Sequence, residues 1–217
     1  MYTTLITAPQ LLALQASATP VRVFDCSFEL MNPERADALF AQAHIAGALQ
    51  AHLDRDLSAA DAADAVNGGR HPLPSRERFA DWLGRMGVAA HEQVIVYDRQ
   101  GANYCGRLWW MLKWVGHEAV AVLDGGLQAW EAAGGAVAAG AAPEPTPVVY
   151  VPGPPRARLV TTDEVMASLG RPRQTLIDAR ATPRFRGEVE PLDPLAGHIP
   201  GALNRPFGEN LQSDGRF

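Results

Sequence analysis

The residues of this chain that could do chemistry are two cysteines, six histidines and two strand-end aspartates followed by arginines, Asp98-Arg99 and Asp178-Ala179-Arg180. Cys105 is the sharpest candidate for a nucleophile. It stands where a helix is expected to begin, and the N–H groups at a helix N-terminus lower a thiol's pKa and stabilise the thiolate. Against that role, it lies seven residues after the strand-end Asp98, and Trp109 and Trp110 follow it closely. A lone cysteine beside tryptophans reads first as packing. Cys26 follows Asp25 at the end of another strand and reads the same way. A phosphatase loop needs Cys-x5-Arg, and the residue six beyond Cys105 is Met111, which excludes it. The histidines and cysteines show no metal-ligand spacing.

These residues are positioned by the stretch from Val94 to Trp130. Val94–Tyr97 has the β-branched and aromatic composition of a buried strand. Leu108 to Val115 is apolar on nearly all sides, which predicts a helix covered on all faces, ended by Gly116. Ala119–Leu123 is a second strand, and Asp124-Gly125-Gly126 turns into a helix carrying Leu127 and Trp130. Strand, crossover helix and strand imply a parallel α/β sheet flanked by helices. The loop from Asp98 to Gly106 then leaves the carboxyl end of a strand, where open α/β sheets bind ligands.

The rest of the chain repeats itself. Thr7-Ala8-Pro9-Gln10 and Thr161-Thr162-Asp163-Glu164 both read as capping boxes. Val21–Asp25 and Thr175–Asp178 are strands ending in Asp. His44-Ile45-Ala46-Gly47-Ala48 recurs as His198-Ile199-Pro200-Gly201-Ala202. The matched landmarks stand 154, 153 and 154 residues apart. A period that long indicates a duplicated domain rather than a solenoid. Residues 1–135 are the expected first domain, the Pro/Ala/Gly-rich 136–158 a semi-extended linker, and 159–217 part of a second domain. That part holds no counterpart of 94–130, and 159–217 are not expected to close a core alone. Within the first domain, Asn32-Pro33-Glu34 should open a helix with Pro33 at its first position, and 57–74 reads as a mobile surface excursion.

The His-Ile-x-Gly-Ala turns, the strands ending in Asp and the Leu-Asp-Gly-Gly-Leu-x-x-Trp turn together resemble the rhodanese family. The two-copy layout resembles its tandem-domain members, the thiosulfate and 3-mercaptopyruvate sulfurtransferases. Asp178-Ala179-Arg180-Ala181-Thr182-Pro183-Arg184-Phe185-Arg186-Gly187 is similar to their second-domain segment. The resemblance implies that a cysteine at the strand-to-helix loop of the second domain takes a sulfane sulfur as a persulfide and passes it to cyanide or a thiol. It also implies a catalytically silent first domain. Asp98 occupies the silent position here, and the repeat offset puts the catalytic cysteine near position 252, outside residues 1–217. By the same resemblance Arg184 binds the donor's anionic end, with forked donors suited to the task. Asp178 and Arg180 support the loop, Arg186 is a weaker candidate, and His44 and His198 hold their turns. The stretch Glu188–Leu195 has three acids and no arginine, which leans toward thiosulfate as donor.

Composition sets outer bounds. The chain has 217 residues, 47% hydrophobic and 20% charged, as in ordinary globular proteins. A net charge of −5 gives no global basic surface for nucleic acid or an anionic membrane. No apolar run reaches membrane-span length, and Met1–Thr4 lacks a signal-peptide pattern, so cytoplasm is expected. No cofactor or metal is implied, the partners are a small anionic sulfur donor and its acceptor, and the intact protein is expected to be a monomer. The expected function is a sulfurtransferase, with 1–217 alone inactive. The rivals are a non-catalytic rhodanese-like binding module and a single-domain enzyme using Cys105.

Overall fold

In a computed structural model that describes residues 1–172 and 174–217, the chain divides into two compact units, Met1–Arg158 and Leu159–Phe217. The first unit is built on a five-stranded parallel sheet. Its strands are β1 (Leu5–Ile6), β2 (Val21–Asp25), β4 (Leu49–Gln50), β5 (Gln93–Tyr97) and β6 (Val120–Leu123), in the spatial order β1-β6-β5-β2-β4. Every residue of β5 and β6 is buried, as in a parallel sheet covered on both faces. Helices α1 (Ala8–Gln15), α2 (Arg35–Gln42), α3 (Arg76–Arg85), α4 (Cys105–Trp114) and α5 (Gly126–Ala132) flank it. The strands β3 (His44–Ile45) and β7 (Val137–Ala138) form a separate antiparallel pair.

Local chemistry explains the element ends. Thr7 caps α1 in a capping box with Gln10. Ser75 caps α3 through the Arg78 N–H. Gly116, at φ +92°, ends α4 in the left-handed conformation. α2 starts at Arg35, two residues later than the Pro33 start expected from sequence: Asn32 and Pro33 sit in a turn whose carbonyls accept from Arg35 and Ala36. α4 is not covered on all sides either. Trp109 and Trp110 are half-buried; Trp109 reaches the Thr3 and Val120 carbonyls through its indole N–H, and Trp110 stacks on Trp114.

Two segments of loop-like composition are tied down. The 57–74 excursion returns on itself through Ala59 N–H to Pro72 O and Val66 N–H to Leu73 O, anchored by buried Leu57 and Leu73. Residues 136–158 belong to the first unit rather than hanging between two bodies. β7 pairs with β3, Val148 N–H donates to Gly84 O, Gly153 N–H to Val115 O, and Tyr150 is buried. Proline-rich composition kept these residues out of helices without keeping them off the surface of the core.

The second unit contains α6 (Thr162–Ser168), β8 (Ile177–Asp178), α7 (Thr182–Phe185), β9 (Leu203–Asn204) and a 3-10 turn, Phe207–Asn210. Thr161 and Glu164 form a capping box, as Thr7 and Gln10 do. β8 pairs with β9 in parallel, Ile177 beside Leu203 and Asp178 beside Asn204. β2 pairs with β4 in the same way, Phe24 beside Leu49 and Asp25 beside Gln50. None of the described residues of this unit is buried; Ile177 and Leu203 are 63% and 61% exposed.

Candidate active site

The loop that leaves β5 closes on Asp98. Its Oδ1 accepts from the backbone N–H groups of Gln100 and Ala102, both at 2.9 Å, and its Oδ2 from Tyr104 and Cys105 at 2.8 and 2.9 Å. Gly101 and Ala102 both take positive φ, which turns successive N–H groups inward. α4 has no side-chain cap of its own at Tyr104. Asp98 therefore supplies the negative charge that a helix N-terminus favours. Its side chain is 1% exposed, and the loop's anion cradle is filled from within. The Asp124-Gly125-Gly126 turn lies directly against it: a Cβ on Gly126 would stand 2.1 Å from the Asp98 carbonyl oxygen.

Arg99 ties this loop to its neighbours. Its guanidinium donates to the Leu39 and Ala43 carbonyls at the end of α2 and lies 3.7 Å from the Asp25 carboxylate. Cys26 and Cys105 are both fully buried. Burial raises each thiol well above its ordinary pKa, and Asp25 and Asp98 respectively push in the same direction. A buried thiol with a raised pKa has little of the thiolate character that nucleophilic attack needs.

A cavity of about 250 Å³ lies beside this loop, lined by Leu30, Leu53, Arg70, His71, Asn103, Tyr104 and Arg107. His71 Nε2 is 3.1 Å from Asp54, and burial lowers its pKa. Arg107 is pushed down to about 10 by burial and donates to the Leu57 carbonyl. In the sequence this wall shows as the basic pair Arg70-His71, which lies within the 57–74 excursion.

The second unit gathers most of the other candidates. Arg180 holds Asp178 through Nε and Nη2, at 3.0 to 3.1 Å and 2.5 Å, which lowers the Asp178 carboxyl pKa. It also donates to the Gly197 carbonyl and reaches Glu190 at 3.4 Å. Arg184 donates to Glu190 through Nε and Nη2 at 3.1 and 2.7 Å, and to Asp193 at 2.9 Å. Arg186 is apart, in a long pair with Glu188. His198 stacks on Phe185 at 3.7 Å and shares a 2.7 Å hydrogen bond with its carbonyl. His44 likewise stacks on Phe40 at 3.9 Å and shares a 2.9 Å hydrogen bond with its carbonyl, though its phenylalanine stands four residues before it rather than thirteen. Glu190 and Asp193, counted from sequence only as acids, are the partners of Arg184. Nothing in their spacing announces that, because α7 is a single turn and irregular backbone follows it.

The sequence pattern described as a rhodanese-like domain covers residues 7–133. The chain belongs to the rhodanese family. Its sulfurtransferase relatives include a Pseudomonas aeruginosa protein named as a probable 3-mercaptopyruvate sulfurtransferase, 44% identical across 98% of this chain and 74% of that one. A thiosulfate sulfurtransferase of Gallus gallus is 34% identical, over 90% of this chain and 66% of its own. Among solved structures, 3-mercaptopyruvate sulfurtransferase from Leishmania major superposes with a TM-score of 0.78 at 30% identity, over 99% of this chain; the chain spans 58% of that one. No helix among the described residues is long and apolar enough to cross a membrane.

Proposed function

We propose that the protein is a tandem rhodanese sulfurtransferase whose first copy, residues 1–135, is silent and whose second begins at 159, with 136–158 connecting them. The supporting observation is the Asp98 cradle: a loop built to hold an anion with four backbone N–H groups, occupied by a carboxylate that accepts no sulfur. The shared β2·β4 and β8·β9 registers and the matching His–Phe turns support the duplication. The repeat offset puts the second copy's counterpart of Asp98 near position 252. A cysteine there would meet the same cradle as a thiolate.

The chemistry is two displacements. The thiolate attacks the outer sulfur of thiosulfate, forming the S–S bond of a persulfide while the S–S bond of the donor breaks and sulfite leaves. Cyanide or a thiolate then attacks the outer persulfide sulfur and restores the cysteine thiolate. Arg184 binds the donor's anionic end, with Asp178, Arg180 and His198 holding its surroundings. The protein works in the cytoplasm as a monomer, without a cofactor.

Steady-state kinetics of the full-length protein test this. Thiosulfate is turned over at least as efficiently as 3-mercaptopyruvate, and Arg184→Ala lowers kcat/KM about ten-fold, the scale of one charge-assisted contact. Residues 1–217 alone form no thiocyanate. A strong mercaptopyruvate preference overturns the donor assignment; an unaffected Arg184→Ala variant overturns the site.

A further inference from the structure

The two carboxylates on Arg184 differ in kind. Glu190 is held from five sides: Arg184 Nε and Nη2, Arg180 Nη1, and the backbone N–H groups of Leu192 and Asp193, each at 3.0 Å. Its side chain is 4% exposed. The Asp193 side chain is 48% exposed and meets Arg184 at the Nη2 that Glu190 already uses. Every hydrogen bond Arg184 makes among the described residues passes through Nε and Nη2.

We infer that the two acids divide the control of Arg184: Glu190 is a positioning residue that fixes the guanidinium, and Asp193 stands in for the donor's anionic group and is displaced when the donor binds. This rests on the reading of Arg184 as the donor-binding arginine. The division follows from exposure. A carboxylate enclosed by five donors cannot leave without giving up all five hydrogen bonds, two of them from backbone N–H groups. An exposed pair in high dielectric is weak and exchanges readily with a solution anion. The clamp also has a rigid root. The Asp178 carboxylate at the end of β8 fixes Arg180, Arg180 reaches Glu190, and Glu190 orients Arg184. A forked donor held in one plane pairs with an oxyanion at less entropic loss than a free side chain.

Asp193 then acts as a built-in competitor. Occupancy of Arg184 by an exposed partner raises the apparent donor KM by about two- to six-fold, the range that exposed ion pairs span. Its charge also opposes a dianion more than a monoanion. Removing it favours thiosulfate over 3-mercaptopyruvate.

The test uses the full-length protein, with thiosulfate or 3-mercaptopyruvate as donor and cyanide as acceptor. Asp193→Asn should lower the KM for both donors, by a larger factor for thiosulfate, with kcat unchanged and the effect shrinking as salt is added. Glu190→Gln should raise KM at least five-fold, and Glu190→Asp should recover part of the loss. Glu188→Gln removes the same charge from the exposed Arg186 pair and should leave KM within about 1.5-fold. If Arg184→Ala raises KM while Asp193→Asn leaves it unchanged or raises it, the stand-in role is wrong and the Arg184 reading survives. If Glu188→Gln lowers KM as much as Asp193→Asn, only net charge matters, and the inference fails. If Arg184→Ala is without effect, or the full-length protein turns over neither donor, both fall together. Asp193 is exposed, so its variant folds; thermal melting confirms that Glu190→Gln does.

Discussion

The backbone N–H of Cys105 donates to the Asp98 carboxylate at 2.9 Å while the Cys105 thiol points into the core, wholly buried. The loop's anion-holding N–H groups thus face Asp98, while burial and the Asp98 carboxylate beside it both raise the thiol's pKa. Cys26 and Cys105 should both be silent to Ellman's reagent in the native 1–217 chain at pH 8 and react fully after unfolding. Cys105→Ser, which buries a hydroxyl, should destabilise the chain by about 1–3 kcal/mol. A thiol that reacts within minutes in the native chain, and that Cys105→Ser removes, would mark Cys105 as a nucleophile after all.

Asp98 should matter to stability in its own right. Truncation to Ala strands four N–H groups at the start of α4. Urea unfolding should show a loss of about 2–4 kcal/mol, given ~1–3 kcal/mol for each stranded buried donor and partial rescue by water. Asp98→Asn keeps one acceptor and should lose less. A loss below about 0.5 kcal/mol would contradict the cradle, since that is the scale of an ordinary surface substitution.

Two glycines at positive φ form a matched pair. Gly126 has φ +58° and no room for a Cβ beside the Asp98 carbonyl, whereas Gly134 has φ +77° and open space around it. Gly134→Ala meets only the left-handed penalty, about 1–2 kcal/mol. Gly126→Ala meets that and a backbone overlap, and should lose more than twice as much or fail to fold. Equal melting temperatures for the two variants would refute the steric part.

The acid limb of the second unit should be set by Glu190. Its hydrogen bonds from Arg184 hold the carboxyl at about 2, below the usual 4.5. A depressed carboxyl stabilises the folded state above its unfolded pKa. The contribution is complete above about pH 4.5 and is lost as pH falls toward 2. A carboxyl-carbon NMR titration of Glu190 should show a midpoint well below 4; an ordinary midpoint near 4.5 would remove the clamp.

Reading from residues went furthest where structure is contiguous. The 94–130 strand–helix–strand was legible because its signals are local, and both capping boxes because each spans four residues. The α2 start was misread because Pro33 suits a turn as well as a first helical position. The attachments of 57–74 and 136–158 are not legible in their composition, which reports secondary structure and not contact: Leu57, Leu73 and Tyr150 are the residues by which these segments reach the core. The Asp98 position was visible, but not the convergence of four N–H groups on it, which depends on two successive positive φ angles at Gly101 and Ala102. The Glu190 clamp joins residues across irregular backbone, where no periodicity exists to be read.

A loop that carries its own counter-anion has a thermodynamic consequence in solution. Ions bind linkage-wise only where the folded state offers a vacancy that the unfolded chain lacks. The native loop offers none, so the melting temperature of the first unit should be indifferent to exchanging chloride for sulfate, beyond the general effect of salting out. Once Asp98 is neutral and short, the same four N–H groups become an unfilled coordination shell. Stability then acquires a slope against the logarithm of anion concentration, and residue 98 decides whether folding of this unit is coupled to the ionic make-up of its surroundings.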